Sequence, residues 1–259
     1  MVSVNNVERI RGRLERGDIS IGAGVSFSDP VVSELYGEAG YDFSWIDMEH
    51  SPLDPSAVQG HVMAARGTDM APFVRVPQND VNVIKPVLDM GIAGIIIPQV
   101  NSADGAKKAV QACRYPPVGV RGFGPQRRMR YGVTSMESYL NEMEVEPIIV
   151  IQMEHIDVVE QIDAMLDVEE IGVFCFGPND LAGSIGKLGQ LDDPEVVAAI
   201  DAISKKVVDR GRVLGTSIGY NPENYERWID RGATWINLDV DWDQLFRDSG
   251  RVLQEVRGV

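Results

Sequence analysis

Cysteine is scarce in this chain of 259 residues: Cys113 and Cys175 are the only two. Two thiols cannot frame a disulfide-stapled fold, and a reducing, cytoplasmic compartment is expected. No apolar run approaches the roughly 20 residues of a membrane span. The opening segment V-N-N-V-E-R-I-R-G-R-L-E-R-G reads as a charged helix without the apolar stretch of a signal peptide. Positive charge is also short. Lys and Arg total 24 against 39 Asp and Glu, a formal charge of −15. That field repels phosphate backbones and anionic lipid, so no nucleic-acid or membrane partner is expected. It tolerates an anionic substrate only where the site holds a metal and an arginine. Lysine occurs six times, at 85, 107, 108, 187, 205 and 206. These positions fall on expected outer helices or, for Lys187, in a loop. None falls at a strand end, which argues against a Schiff-base mechanism.

What is present is a strand-then-helix rhythm. Apolar runs at Ile19–Phe27, Phe43–Met48, Pro72–Val76 and Ala93–Pro98 read as strands. So do the runs that begin at Ile148 and Ile171, then Val213–Ile218 and Thr234–Leu238. Helical periodicity follows each, opened by Asp-Pro at 29–30 and 54–55 and closed by glycine at 40, 91 and 211. Eight such units with short connections predict one (β/α)8 TIM barrel spanning residues 1–259. A doubly wound open sheet is the alternative, but no Gly-x-Gly-x-x-Gly follows the first strand.

The organising stretch runs from Ile148 to Asp180. I-I-V-I-Q-M-E and I-G-V-F-C-F-G-P-N-D are two apolar runs that each end in an acid, separated by a helical segment. A right-handed strand–helix–strand crossover brings both strand ends to one edge. Glu154 and Asp180 should therefore be neighbours on one rim, either as a hard-cation site or as two solvated loop acids. In a barrel, chemistry gathers at the C-terminal strand ends. Those ends deliver Asp47, Glu49 and His50; Arg75; Gln99; Gln152; Gly177, Pro178 and Asn179; and Ser217, Asn237, Asp239 and Asp241. His50, one of three histidines, suits general base work if Asp47 orients it, or is structural. Arg75 in a barrel mouth implies an anion, either substrate or a neighbouring acid. The seventh and eighth strand ends read S-I-G-Y-N and N-L-D-V-D, too acidic and too poor in glycine for a phosphate site.

The segments W-I-D-M-E-H-S-P, F-V-R-V-P, Y-P-P-V-G-V-R-G-F-G-P, I-Q-M-E and F-G-P-N-D-L-A-G-S-I-G, in this order, resemble the HpcH/HpaI family of metal-dependent class II pyruvate aldolases. The likeness runs from about Ile19 to Asp241. It implies reversible retro-aldol cleavage of a 4-hydroxy-2-oxo acid to pyruvate and an aldehyde. It also implies Glu154 and Asp180 as ligands of a divalent metal (Mg, Mn or Co), and Arg75 as the group on the keto oxygen. His50 with Asp47 would be the catalytic pair, and Gln152 would lie beside the metal. Gly177, Pro178 and Asn179 would receive the carboxylate, and Ser217 would line the pocket. The resemblance further implies a homo-oligomer, a hexamer built as a trimer of dimers that exchange the C-terminal helix. Asp89, at the far end of its helix, would then serve a neighbouring subunit's site. On its own, Asp89 is an acid unfavourably placed at a helix C-terminus, or simply an exposed one. Gly24 and the Thr216–Ser217 pair depart from the family pattern in the pocket wall. The competing readings are a CoA-ester lyase, an isomerase or hydrolase of a 2-oxo acid, and a non-catalytic barrel.

Overall fold

The computed structural model describes residues 4–142 and 147–258. Eight parallel strands close into a barrel in sequence order. They are β1 (Ser20–Val25), β2 (Phe43–Asp47), β3 (Ala71–Arg75), β4 (Gly94–Ile97), β5 (Ile148–Met153), β6 (Ile171–Phe176), β7 (Leu214–Ile218) and β8 (Ala233–Val240). The helices are α1 (Val7–Arg16), α2 (Val31–Ala39), α3 (Pro55–Ala65), α4 (Val81–Asp89), α5 (Ala103–Cys113), α6 (Met136–Glu142), α7 (Val158–Leu166), α8 (Pro178–Ser184), α9 (Pro194–Asp209), α10 (Pro222–Asp230) and α11 (Asp241–Arg257). The expected barrel is therefore present, with strand limits shifted by no more than two residues. No helix among the described residues is long and apolar enough to cross a membrane.

Two connections depart from the expected short pattern. Residues 114–142 form an excursion after α5 that includes α6. It runs across the N-terminal face, because α5 ends and β5 begins there. After β6 the chain enters α8 directly, so Asp180 lies in a first helical turn rather than in a loop.

Alternation along each strand sorts the core into two clusters. One lies inside the barrel, with Phe43, Phe73, Val150, Val173 and Trp235; α1 adds Val7 and Ile10 to it and so plugs the N-terminal end. The other lies between barrel and helices. Inside, the Phe43 ring stacks on Trp235 at 4.1 Å and 8°. These rings fill space that neighbouring strands vacate. A Cβ on Gly22 would lie 2.1 Å from the Phe43 ring, and one on Gly94 would lie 2.0 Å from Phe73. With the lower barrel solid, only the C-terminal mouth is left for chemistry. Gly22→Ala should therefore strain the packed rings and cost about 1–3 kcal/mol. Urea unfolding of the variant against the parent checks this; an unchanged midpoint would contradict the packing.

Candidate active site at the C-terminal mouth

β2 and β3 pair in register, Asp47 opposite Arg75. Their side chains meet in a two-pronged bond: Arg75 Nε donates to Asp47 Oδ1 at 2.9 Å, and an Nη to Oδ2 at 2.7 Å. The other Nη lies 3.0 Å from Glu49 Oε2. Burial alone would weaken the guanidinium charge. The Asp47 hydrogen bonds and field, then Glu49 and Glu154, more than restore it and leave the pKa raised. Trp45 lies beneath, its ring centre 5.2 Å from the guanidinium carbon. Arg75 is thus fixed from three sides at the mouth.

Asp47 also accepts the amides of Glu49 at 2.9 Å and His50 at 3.3 Å. Both its oxygens are therefore engaged by Arg75 and the turn, and the expected Asp47–imidazole pair is not the arrangement found. The His50 ring lies outward, its Nε2 3.7 Å from Glu49 Oε2. Glu49 is the acid beside the imidazole. Its carboxyl is raised by burial, against the lowering fields of Arg75 and His50.

Across the mouth, the Glu154 carboxylate takes the Gln99 amide at 2.7 Å and the Gln152 side-chain amide at 2.9 Å. Its backbone amide donates to Asn101 Oδ1 at 2.8 Å. Gln99 holds a left-handed φ of 54° to make its bond, a backbone strain that the carboxylate contact offsets. A Cβ on Gly177 would lie 2.6 Å from Glu154 Cγ and Oε1, so glycine there leaves the side chain its place. Burial pushes Glu154 up to about 7, helped by Glu49 and Asp180 and opposed by the Gln99 bond and Arg75. Asp180, exposed in the first turn of α8, is therefore close enough for its field to act on Glu154. The sequence expectation that the two acids share a rim holds.

The donor set fits a divalent cation. Glu154 is a buried carboxylate facing two further acids, and Gln152 Oε1 is buried without a hydrogen-bond partner among the described residues. Those described residues contain no ready group of three His, Cys, Asp or Glu for a metal. Two carboxylates with open positions is the catalytic kind of site, not the structural kind. On the stretch expected to receive a carboxylate, the Gly177 amide is already donated to Met153 O at 3.2 Å. Pro178 has no amide N–H, which leaves Asn179 as the donor of that stretch, followed by Asp180 in the first turn of α8.

A cavity of about 480 Å³ opens from Asp47, His50 and Arg75 past Pro178 and Asn179 to Ser217 and β8. Ser217 Oγ accepts from Asn237 Nδ2 at 3.0 Å. Gly24 lines the cavity, but a Cβ there would be 2.9 Å from Asp239 O and 3.1 Å from Val240 Cβ. A bulky residue at 24 would therefore have to move β8 at its bulge, and is no simple pocket filler. Asp89 lies at the opposite end of the barrel, bonded by Arg121 at 2.7 Å. Arg127 is also there, on Met90 O, so the arginine cluster gives the mouth no basic groove for a nucleotide.

Sequence reasoning named most of this set but gave Glu49, Gln99 and Asn237 no role. It missed Asn101 altogether. The only available signal was position: polar residues immediately after apolar strands, as in I-I-I-P-Q-V-N.

The sequence model of the HpcH/HpaI aldolase/citrate lyase family matches residues 25–247. A hydroxypyruvate/pyruvate aldolase of Pseudomonas aeruginosa is 31% identical over 97% of this chain and 92% of its own. A 5-keto-4-deoxy-D-glucarate aldolase of Shigella boydii is 32% identical over 95% of both. Among solved structures, an HpcH/HpaI aldolase from Desulfitobacterium hafniense superposes with a TM-score of 0.89 at 26% identity, covering 96% of this chain and 97% of that one.

The Glu154 carboxyl gives a prediction for the metal-free protein. Its ordinary value is 4.5 and its folded value about 7, so ionisation is disfavoured in the fold. The cost is absent below pH 4.5 and fully present above pH 7. With chelator present, Glu154→Gln should raise the melting temperature at pH 8 and leave it nearly unchanged at pH 5. Equal effects at both values would contradict the burial argument.

Proposed function

Because the chain belongs to the HpcH/HpaI aldolase/citrate lyase family, we propose that the mouth cleaves a 4-hydroxy-2-oxo acid reversibly to pyruvate, or a close 2-oxo acid, and an aldehyde. The protein is a carbon–carbon lyase of the class II aldolase kind. The observation that carries the roles is the Arg75 fork, pinned by Asp47 and facing the cavity that His50 also lines.

Cleavage of the bond between C3 and C4 leaves an electron pair on C3, delocalised onto the keto oxygen as an enolate. Arg75 places fixed positive charge where that oxygen becomes negative, with no reorganisation during the step. Glu154 and Asp180 would hold a divalent cation, Mg, Mn or Co, which would supply Lewis acidity toward the 2-oxo acid. Gln152 and Gln99 hold the Glu154 carboxylate in place. The turn of Gly177, Pro178 and Asn179 receives the carboxylate end, with the Asn179 amide as its donor. His50 removes the hydroxyl proton at C4 as the aldehyde forms; the proton balance closes when C3 is protonated. Glu49, beside the imidazole, steadies its cationic form. Ser217 contacts the departing aldehyde.

A second copy of this chain completes the site. α11 carries an unpartnered apolar stripe of Trp242, Leu245, Phe246, Val252, Leu253 and Val256, all exposed. Repeats of three and four residues put them on one side of a helix. That stripe supports exchange of α11 within dimers, and three dimers would make a hexamer. Asp89, held by Arg121 on the N-terminal face, then acts in a neighbour's mouth. The free thiols of Cys113 and Cys175 support a reducing, cytoplasmic setting.

Chelation should abolish pyruvate release from a 4-hydroxy-2-oxo acid, and Mg, Mn or Co should restore it. His50→Ala should slow the metal-loaded enzyme roughly 100-fold or more. Full activity in stripped protein, or a parental rate in His50→Ala, would refute the corresponding role. For the partner role, inactive His50→Ala and inactive Asp89→Ala chains should regain partial activity when dissociated and reassembled together. A fully active Asp89→Ala protein would refute it.

A further inference from the structure

The mouth has two walls of opposite character. On the near wall, Arg75 is the only arginine or lysine among the described residues that line the cavity. Arg75 and a cation are engaged by the 2-oxo acid in the proposed chemistry. The far wall is built by β8 and the start of α11, where Asp239 and Asp243 face the cavity. Arg247 is the nearby cation, but it does not line the cavity. It bonds Asp239 Oδ2 at 2.6 Å and Asp243 at 3.2 Å. One guanidinium between two carboxylates leaves that wall negative.

The wall is built, not incidental. Asp239 is buried and holds a left-handed φ of 59°, a costly conformation for a residue with a side chain. It is held there by the Tyr220 amide on Oδ1 at 2.6 Å and by Arg247 on Oδ2. Beside it, Asn237 is 5% exposed and its Oδ1 has no partner among the described residues. Ser217 Oγ accepts from Asn237 Nδ2 and keeps its own O–H to donate. The wall thus offers hydroxyl and amide groups beside two carboxylates and no spare cation.

We propose that this wall selects the aldehyde partner: an uncharged, hydroxylated aldehyde is accepted, and an aldehyde bearing a second carboxylate is rejected. The inference rests on the aldolase reading and specifies its acceptor. In the synthetic direction the C3 pair of the enolate forms the new bond to the aldehyde carbon and C2=O is restored. The carbonyl pair moves to the aldehyde oxygen, which takes up a proton equivalent to the one lost from the pyruvate methyl. A hydroxyl on the next carbon finds Ser217 and the acidic wall as partners. A carboxylate there meets like charge in a confined space, and specificity follows from that repulsion.

The experiment is metal-loaded enzyme with pyruvate and either D-glyceraldehyde or succinate semialdehyde, with product followed by NMR. The parent should favour glyceraldehyde in kcat/KM by about tenfold or more, since like-charge contacts are costly at such walls. Asp243→Lys should shift the ratio toward the semialdehyde by about tenfold, mainly through KM, because it turns repulsion into attraction. Asp248→Lys, the same charge change elsewhere on α11, should leave the ratio unchanged. A parent that prefers the semialdehyde, or a ratio that Asp243→Lys does not move, would overturn the proposal. Failure to form a carbon–carbon bond with any of several aldehydes would instead overturn the aldolase reading on which it rests.

Discussion

The structure of the mouth depends on one ion pair, the bidentate contact of Arg75 with Asp47. A buried guanidinium is tolerable only with its charge matched and its N–H groups engaged. Asp47 supplies two bonds, and Glu49 lies against the third edge. The pair also shapes the turn that follows β2, because the same Asp47 carboxylate receives the amides of Glu49 and His50. One carboxylate therefore sets the direction of the arginine, the place of the neighbouring acid and the start of the histidine. The guanidinium in turn lies within the field of Glu154, across the barrel. Charge at either side of the mouth is thus felt at the other.

The barrel below explains why this arrangement can be rigid. Aromatic rings from β2, β3 and β8 fill the interior, and glycines on β1 and β4 make room for them. α1 closes the far end. The polar side chains sit as a single layer on an apolar plug, so each hydrogen bond they make is shielded from below and hydrated only from the cavity. Two strained residues belong to that layer: Gln99 and Asp239 both adopt left-handed backbone conformations, and both are fixed by hydrogen bonds to or from a carboxylate.

The barrel was legible because its signals are periodic and local. Apolar runs recur eight times, several of the helices between them carry Asp-Pro starts or glycine stops, and the rim position of Glu154 and Asp180 follows from parallel crossover geometry alone. Arg75 and His50 were legible as chemistry at strand ends, and the family likeness added roles. What could not be read is which acid pairs with which base. Asp47 was expected beside the imidazole, yet it is two residues closer to the strand and in register with Arg75, and the arginine takes it. Glu49, one step further round the turn, is the acid that reaches the ring. The path of residues 114–142 and the bulge that closes Gly24 against β8 were equally invisible, because both arise from long-range packing. Asn101 and Asn237 act by hydrogen bonds to partners far along the chain, and nothing in their neighbouring sequence marks them.

The central claim is that Arg75, held by Asp47, stabilises negative charge on the keto oxygen of a 2-oxo acid. Its most direct test needs no aldehyde. In heavy water, metal-loaded enzyme should exchange the methyl protons of pyruvate for deuterium, seen as loss of the methyl signal by NMR. Arg75→Lys, with a point charge in place of a planar fork, should slow that exchange far more than it weakens pyruvate binding. Exchange at the parental rate in Arg75→Lys, or no exchange in the parent while cleavage proceeds, would contradict the account.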